Sequence, residues 1–95
     1  MSSVSAVSVT TTAVALIAAN QDRSYLILDN QSATVTVFIG PAATLTAATG
    51  IALYAGDKMI WENNNPKDWS FYRGALYGIT AAGTADVRVM ELTPQ

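Results

Sequence analysis

Histidine is absent from the chain, so side-chain proton transfer near neutral pH rests first on seven carboxylates: Asp22, Asp29, Asp57, Glu62, Asp68, Asp86 and Glu91. General acid–base catalysis needs a donor and an acceptor with separated pKa values converging in a cleft. A glycosidase would use two such carboxyls flanking a bond. Nothing in the spacing singles out a pair, and several of these residues stand in turn sequences where Asp serves local hydrogen bonds. A serine nucleophile needs a base, and neither Lys58 nor Lys67 sits in a Ser-x-x-Lys context. Cysteine is absent too, which excludes disulfides, thiolate chemistry and zinc–thiolate sites. No Asp-x-Asp-x-Asp-Gly loop is present for calcium; Asn63–Asp68 offers oxygens but one carboxylate. The glycines occur singly and build no phosphate loop. No cofactor is expected.

The aromatic group Trp61, Trp69, Phe71, Tyr72 and Tyr77 is the one cluster with recognition chemistry. Trp and Tyr serve as core filler, as interface anchors and as carbohydrate platforms. All three readings stand on the sequence. Arg73, beside Tyr72, suits stacking, pairing with a carboxylate across an interface, or plain solvation.

These residues must be carried by sheet. Thr34–Ile39 reads Thr-Val-Thr-Val-Phe-Ile, a period-two strand, and similar alternation recurs along the chain. Val7 and Val9 alternate with Ser8 and Thr10. Val14 and Leu16 alternate with alanines; the Ala-rich stretch also permits a short helix, but β-branched Val14 and Ile17 favour strand. Ser24–Leu28 is apolar on both faces and predicts burial on both sides. Ala33–Ile39 follows after a short connection and is expected to pair with it as a hairpin, with Val35, Val37 and Ile39 inward. Ile51–Leu53, Lys58–Glu62, Ala75–Thr80 and Ala85–Leu92 complete the set. The last two are expected to form a second hairpin around Ala82-Gly83, with Val87 and Val89 inward. Seven to eight short strands at turn spacings of about 8–12 residues predict an all-β fold, a single small antiparallel β-sandwich or jelly-roll-like barrel. Residues 1–12 read as an extended arm or strand and residues 13–95 as the sandwich.

The 95 residues make one domain at most, and 51% are hydrophobic against 13% charged. Average domains carry about 25% charge. A domain this small buries roughly 60–65% of its unfolded surface. The charge deficit therefore points to a surface rich in Thr, Ser, Asn and Ala, part of it covered by other subunits. A net charge of −2 with dispersed cations (Arg23, Lys58, Lys67, Arg73, Arg88) argues against a nucleic-acid groove and against a polybasic membrane patch. Ala13–Ala19 is too short to span a bilayer. Met1–Thr12 lacks the basic region of a signal peptide.

Ala18–Arg23 leads into Tyr25-Leu26-Ile27-Leu28-Asp29-Asn30; Val35–Gly40, Thr49–Leu53, Ala55-Gly56-Asp57, Ala75–Ile79 and Gly83–Val89 follow. This order resembles small β-rich virion proteins of tailed bacteriophages: an "Arg, hydrophobic strand, Asn" step, a "Val-x-Ile-Gly" strand, "Gly-x-x-Leu-x-x-Gly", a "Leu-Tyr-x-Ile" strand and a Val-rich last strand. The likeness spans roughly residues 13–92, and Asn63–Tyr72 has no counterpart in it. It implies a non-enzymatic structural protein of the particle: a capsid decoration (cement) protein, or a head-fibre, neck or tail-associated component. The implied place is the virion, after synthesis in the host cytoplasm, and the implied partners are the major capsid protein or other virion proteins. A homo-oligomer is expected, with a trimer favoured. On this reading the contacts fall on Val4, Val7 and Val9 of the uncharged Ser2–Thr12 arm and on Trp69, Tyr72 and Arg73. A glycan-binding sandwich acting at a host surface is the alternative.

Overall fold

The computed structural model describes residues 3–62 and 72–93. Among these, the elements are β1 (Ser3–Val9), β2 (Val14–Ile17), β3 (Tyr25–Asn30), β4 (Val37–Gly40), β5 (Ile51–Leu53), β6 (Lys58–Glu62), β7 (Leu76–Thr80) and β8 (Ala85–Leu92). They form two four-stranded antiparallel sheets, in the orders β1-β8-β3-β6 and β2-β7-β4-β5. First pairs with last, second with seventh, third with sixth and fourth with fifth. A long antiparallel ribbon folded over on itself gives this arrangement, the strand order of a jelly roll. The sandwich expected from the sequence is present.

The period-two pattern explains the core. In β3, Leu26 and Leu28 are fully buried while Tyr25 and Ile27 on the opposite face are half-buried. Val9, Val87 and Val89 join them from the same sheet, and Leu16, Val37, Ile39, Leu53 and Leu76 face them from the other. Val35 packs partly against this cluster. Gly78 leaves room for the core side chains of its flanking strands: a Cβ there would stand 3.2 Å from Leu16 on β2 and 3.3 Å from Val37 on β4. A register shift between Ala15 and Ile17 breaks plain alternation in β2. Such bulges bend a strand and re-aim its side chains.

Two pairings differ from the sequence expectation. β4 does not form a hairpin with β3, and β8 does not form one with β7; each pair is split between the sheets. Both β3 and β4 lie between two other strands, so neither has an edge left for its neighbour in sequence. The connections are long enough to cross the roughly 10 Å between packed sheets. Ala81–Thr84 makes its crossing with Gly83 at φ 81°, a left-handed conformation suited to glycine.

Candidate functional site

The candidate site is a contact surface, and its position follows from register. On the outer face of the first sheet, Val4 lies opposite Met90, Met90 opposite Ile27, and Ile27 opposite Ile60. One apolar row therefore crosses all four strands. Its ends are its most open parts: Val4 is 71% exposed and Ile60 52%. A shallow groove of about 210 Å³ follows it, bordered by Asp29, Lys58 and Arg88. Those three form the adjacent cross-strand row. An apolar stripe rimmed by charge is how protein contact sites commonly look.

The row opens onto a free strand edge. β1 pairs with β8 over its whole length, from Ser3 opposite Glu91 to Val9 opposite Ala85, and its other side has no strand among the described residues. It carries no charge, Pro or bulge, the usual protections of an edge strand. The nearest charges are on β8, where Arg88 meets Asp86 at 2.9 Å in an exposed ion pair. The hydrogen bond from Arg88 holds the Asp86 carboxyl below its ordinary value, and the same contact raises the Arg88 guanidinium.

The residues singled out from sequence divide. Val4 is on the surface row. Val7 is half-buried against the core, and Val9 is fully buried within it, so Val9 is packing rather than contact surface. The reason is parity: residues seven and nine share the inward face of β1, and residue four points out. Tyr72 is half-buried against the core, and its hydroxyl donates to the Ala75 carbonyl at 2.6 Å. Arg73 is half-buried, and its carbonyl accepts from the Asn20 amide. Trp69 lies outside the described residues. Trp61 packs on the core edge and, with Met59, lines a mainly apolar cavity of about 520 Å³ between β6 and the loop before β5. Ile39, Leu45, Ile51 and Leu76 form other walls. Ile51 is 66% exposed here, where the two sheets part. Leu45 tucks against Gly40 and Gly50, whose added Cβ atoms would approach its Cδ1 to 2.7 and 3.0 Å.

Sequence reasoning missed two buried polar residues that fix this geometry. Arg23, only 1% exposed, pairs with Glu91 at 2.7 Å. It also donates to the carbonyls of Ala18 (2.8 Å) and Gly74 (3.0 Å), and at 3.4 Å to that of Tyr72. Asn20 donates to the other Glu91 oxygen. Asn30 donates to the carbonyls of Val35 (2.8 Å) and Leu53 (2.9 Å), while its side-chain oxygen accepts from the Ser32 amide. A signal for the first was available: Glu91 has the same parity as inward Val87 and Val89, and an inward carboxylate demands a buried cation. Among the described residues, no group of three acidic side chains is placed to hold a metal ion.

Comparison with protein-family models, with curated proteins and with solved structures gives no match.

Proposed function

We propose that this chain is a non-enzymatic structural component of a tailed-bacteriophage virion, a capsid decoration protein that stabilises the shell through protein–protein contact. The carrying observation is the outer face of the first sheet, where the row Val4–Met90–Ile27–Ile60 runs out to the uncharged edge of β1. The segments that resemble virion proteins supply the partner class. Both ends of the resembling "Arg, hydrophobic strand, Asn" step are buried staples, so the motif carries architecture rather than chemistry.

The mechanism is linkage. A protein that binds the assembled shell and not its dissociated subunits stabilises the shell, by about 2.7 kcal/mol per site at a free concentration a hundredfold above Kd. The apolar row supplies buried area, and the β1 edge supplies backbone hydrogen bonds to an extended segment of the capsid protein. Particles lacking this chain are expected to lose resistance to heat or chelator and to regain it when purified protein is added. Equal robustness with and without it rules out the cement role.

The glycan reading draws on the Trp61 cavity. Among its described lining residues, Thr44 and Thr49 are the only ones with side-chain hydroxyls, a sparse set for a sugar with several. Saturable binding on a glycan array, lost in Trp61→Ala, would shift the assignment to recognition.

A further inference from the structure

We propose that the free edge of β6 pairs antiparallel with the same edge of a second copy, about a two-fold axis at Ile60. Among the described residues, β6 ends the first sheet, and its one strand neighbour is β3. Its sequence, Lys58-Met59-Ile60-Trp61-Glu62, is charge-complementary to its own reverse. With the axis at Ile60, Lys58 of each copy faces Glu62 of the other, and Met59 faces Trp61. Both Lys58 and Glu62 are exposed. Opposite charges directly across an antiparallel pair stabilise it, and like charges destabilise it.

The charges also select among alternatives. A parallel pairing in register sets Lys58 against Lys58 and Glu62 against Glu62. An antiparallel slip by two residues in either direction takes Lys58 away from Glu62. The Ile60-centred register alone satisfies both charged pairs. On the inner side, Met59 against Trp61 is a sulfur–aromatic contact beside the cavity these residues already line. On the outer side, the apolar row ending at Ile60 continues into that of the second copy. The two four-stranded sheets become one continuous sheet, a closed isologous contact.

A five-residue edge buries less than the roughly 1,200 Å² typical of stable interfaces. The expected self-affinity is therefore weak, on the order of 0.1 mM, and gains effect where copies are held side by side. This contact does not rest on the virion assignment. It is two-fold, whereas the trimer favoured from the sequence needs a three-fold contact elsewhere.

Sedimentation of the full chain up to about 1 mM is expected to show a monomer–dimer equilibrium. Lys58→Glu alone and Glu62→Lys alone each weaken it by about tenfold or more. An equimolar mixture of the two single variants forms a mixed dimer at wild-type strength, because both facing pairs are again opposite. The double variant self-associates like wild type. Amide exchange on the wild-type chain reads the same contact without substitution: protection across Lys58–Glu62 rises with concentration while that of β1 does not. A wild-type monomer throughout that range, single variants that associate unchanged, or folded variants whose mixture fails to recover would each overturn the pairing. So would an oligomer whose β6 amides stay unprotected. None of these results bears on whether the chain stabilises a shell.

Discussion

The two ends of β3 are closed by different polar chemistry, and each end secures a different edge of the same sheet. At its entry, the charged Arg23–Glu91 pair joins β8 to the segments around Ala18, Tyr72 and Gly74. β8 in turn carries the β1 edge. At its exit, a neutral amide does the joining. Asn30 holds Leu53 through its side chain and Gly56 and Asp57 through its backbone, so it fixes the β5–β6 connection and with it the β6 edge. The contrast is between a buried ion pair, costly to half-remove, and a buried amide, whose loss leaves individual carbonyls unpaired. The edges differ in kind as well. β1 is uncharged and suits any extended partner, whereas β6 is marked by a Lys and a Glu and specifies a register.

The largest effect is expected at the entry. Arg23→Ala leaves the Glu91 carboxylate buried without its cation, and removing one member of a buried pair costs about 3–5 kcal/mol. Small domains have about 5–15 kcal/mol in total, so urea unfolding of this variant should begin at far lower denaturant. Arg23→Met with Glu91→Leu should lose less than either single change, because no lone charge remains. A loss below about 1 kcal/mol for Arg23→Ala would place the pair with exposed ion pairs and erase the contrast between the two ends.

Next comes the exit. Asn30→Asp replaces the donating amide with an acceptor facing the carbonyls of Val35 and Leu53. Unsatisfied buried groups cost about 1–3 kcal/mol each, so a loss of about 2–4 kcal/mol is expected. The sharper readout is where the structure loosens. Amide exchange should accelerate across Leu53–Glu62 before it does in β1 and β8. Uniform acceleration would show that the exit does not serve β6 in particular.

What the sequence disclosed and concealed follows the same division. Alternation fixed which residues of β3, β4 and β8 point inward, because a strand offers two faces and burial selects one. It left the partner strand open. Asp29–Ser32 has turn chemistry equally suited to a hairpin and to a crossing. The crossing is held by Asn30 reaching Leu53, 23 residues away, a contact with no local signature. Arg23 likewise read as one dispersed cation, since its partner is 68 positions downstream. The surface row was hidden for a related reason. Val4, Ile27, Ile60 and Met90 are scattered in sequence and align only once register is known. Strand existence is a local property, whereas contact surfaces of a sheet are made across strands.

A smaller effect on stability, within about 0.5 kcal/mol, is expected for Val4→Lys, because the residue is 71% exposed. Its consequence belongs to the β1 edge. A lysine there supplies the protection this strand lacks, so the proposed binding to shells should fall while the proposed self-association through β6 stays unchanged. Ile60→Lys is the mirror test, expected to abolish self-association first. Equal loss of both functions in both variants would mean that the apolar row acts as one surface rather than two separable edges.

The smallest effect concerns the charge beside β1. Arg88 donates to both Asp86 oxygens, at 3.2, 3.2 and 2.9 Å, and holds its carboxyl below its ordinary value. A depressed carboxylate contributes stability that is fully present above its unfolded pKa and is lost as pH falls through the lower folded value. The window therefore lies below about pH 4, and near neutral pH the contribution is fully present and does not vary with pH. Carbon-detected titration should place the Asp86 midpoint below the ordinary carboxylate value in the wild-type chain and return it toward that value in Arg88→Gln. High salt should shrink the difference, because the pair is exposed and screened. A midpoint unchanged by Arg88→Gln would mean that Arg88 is turned toward Asp29, its cross-strand neighbour. The charged row would then run from Arg88 through Asp29 to Lys58, tying the flank of β1 to the residue that sets the register of β6.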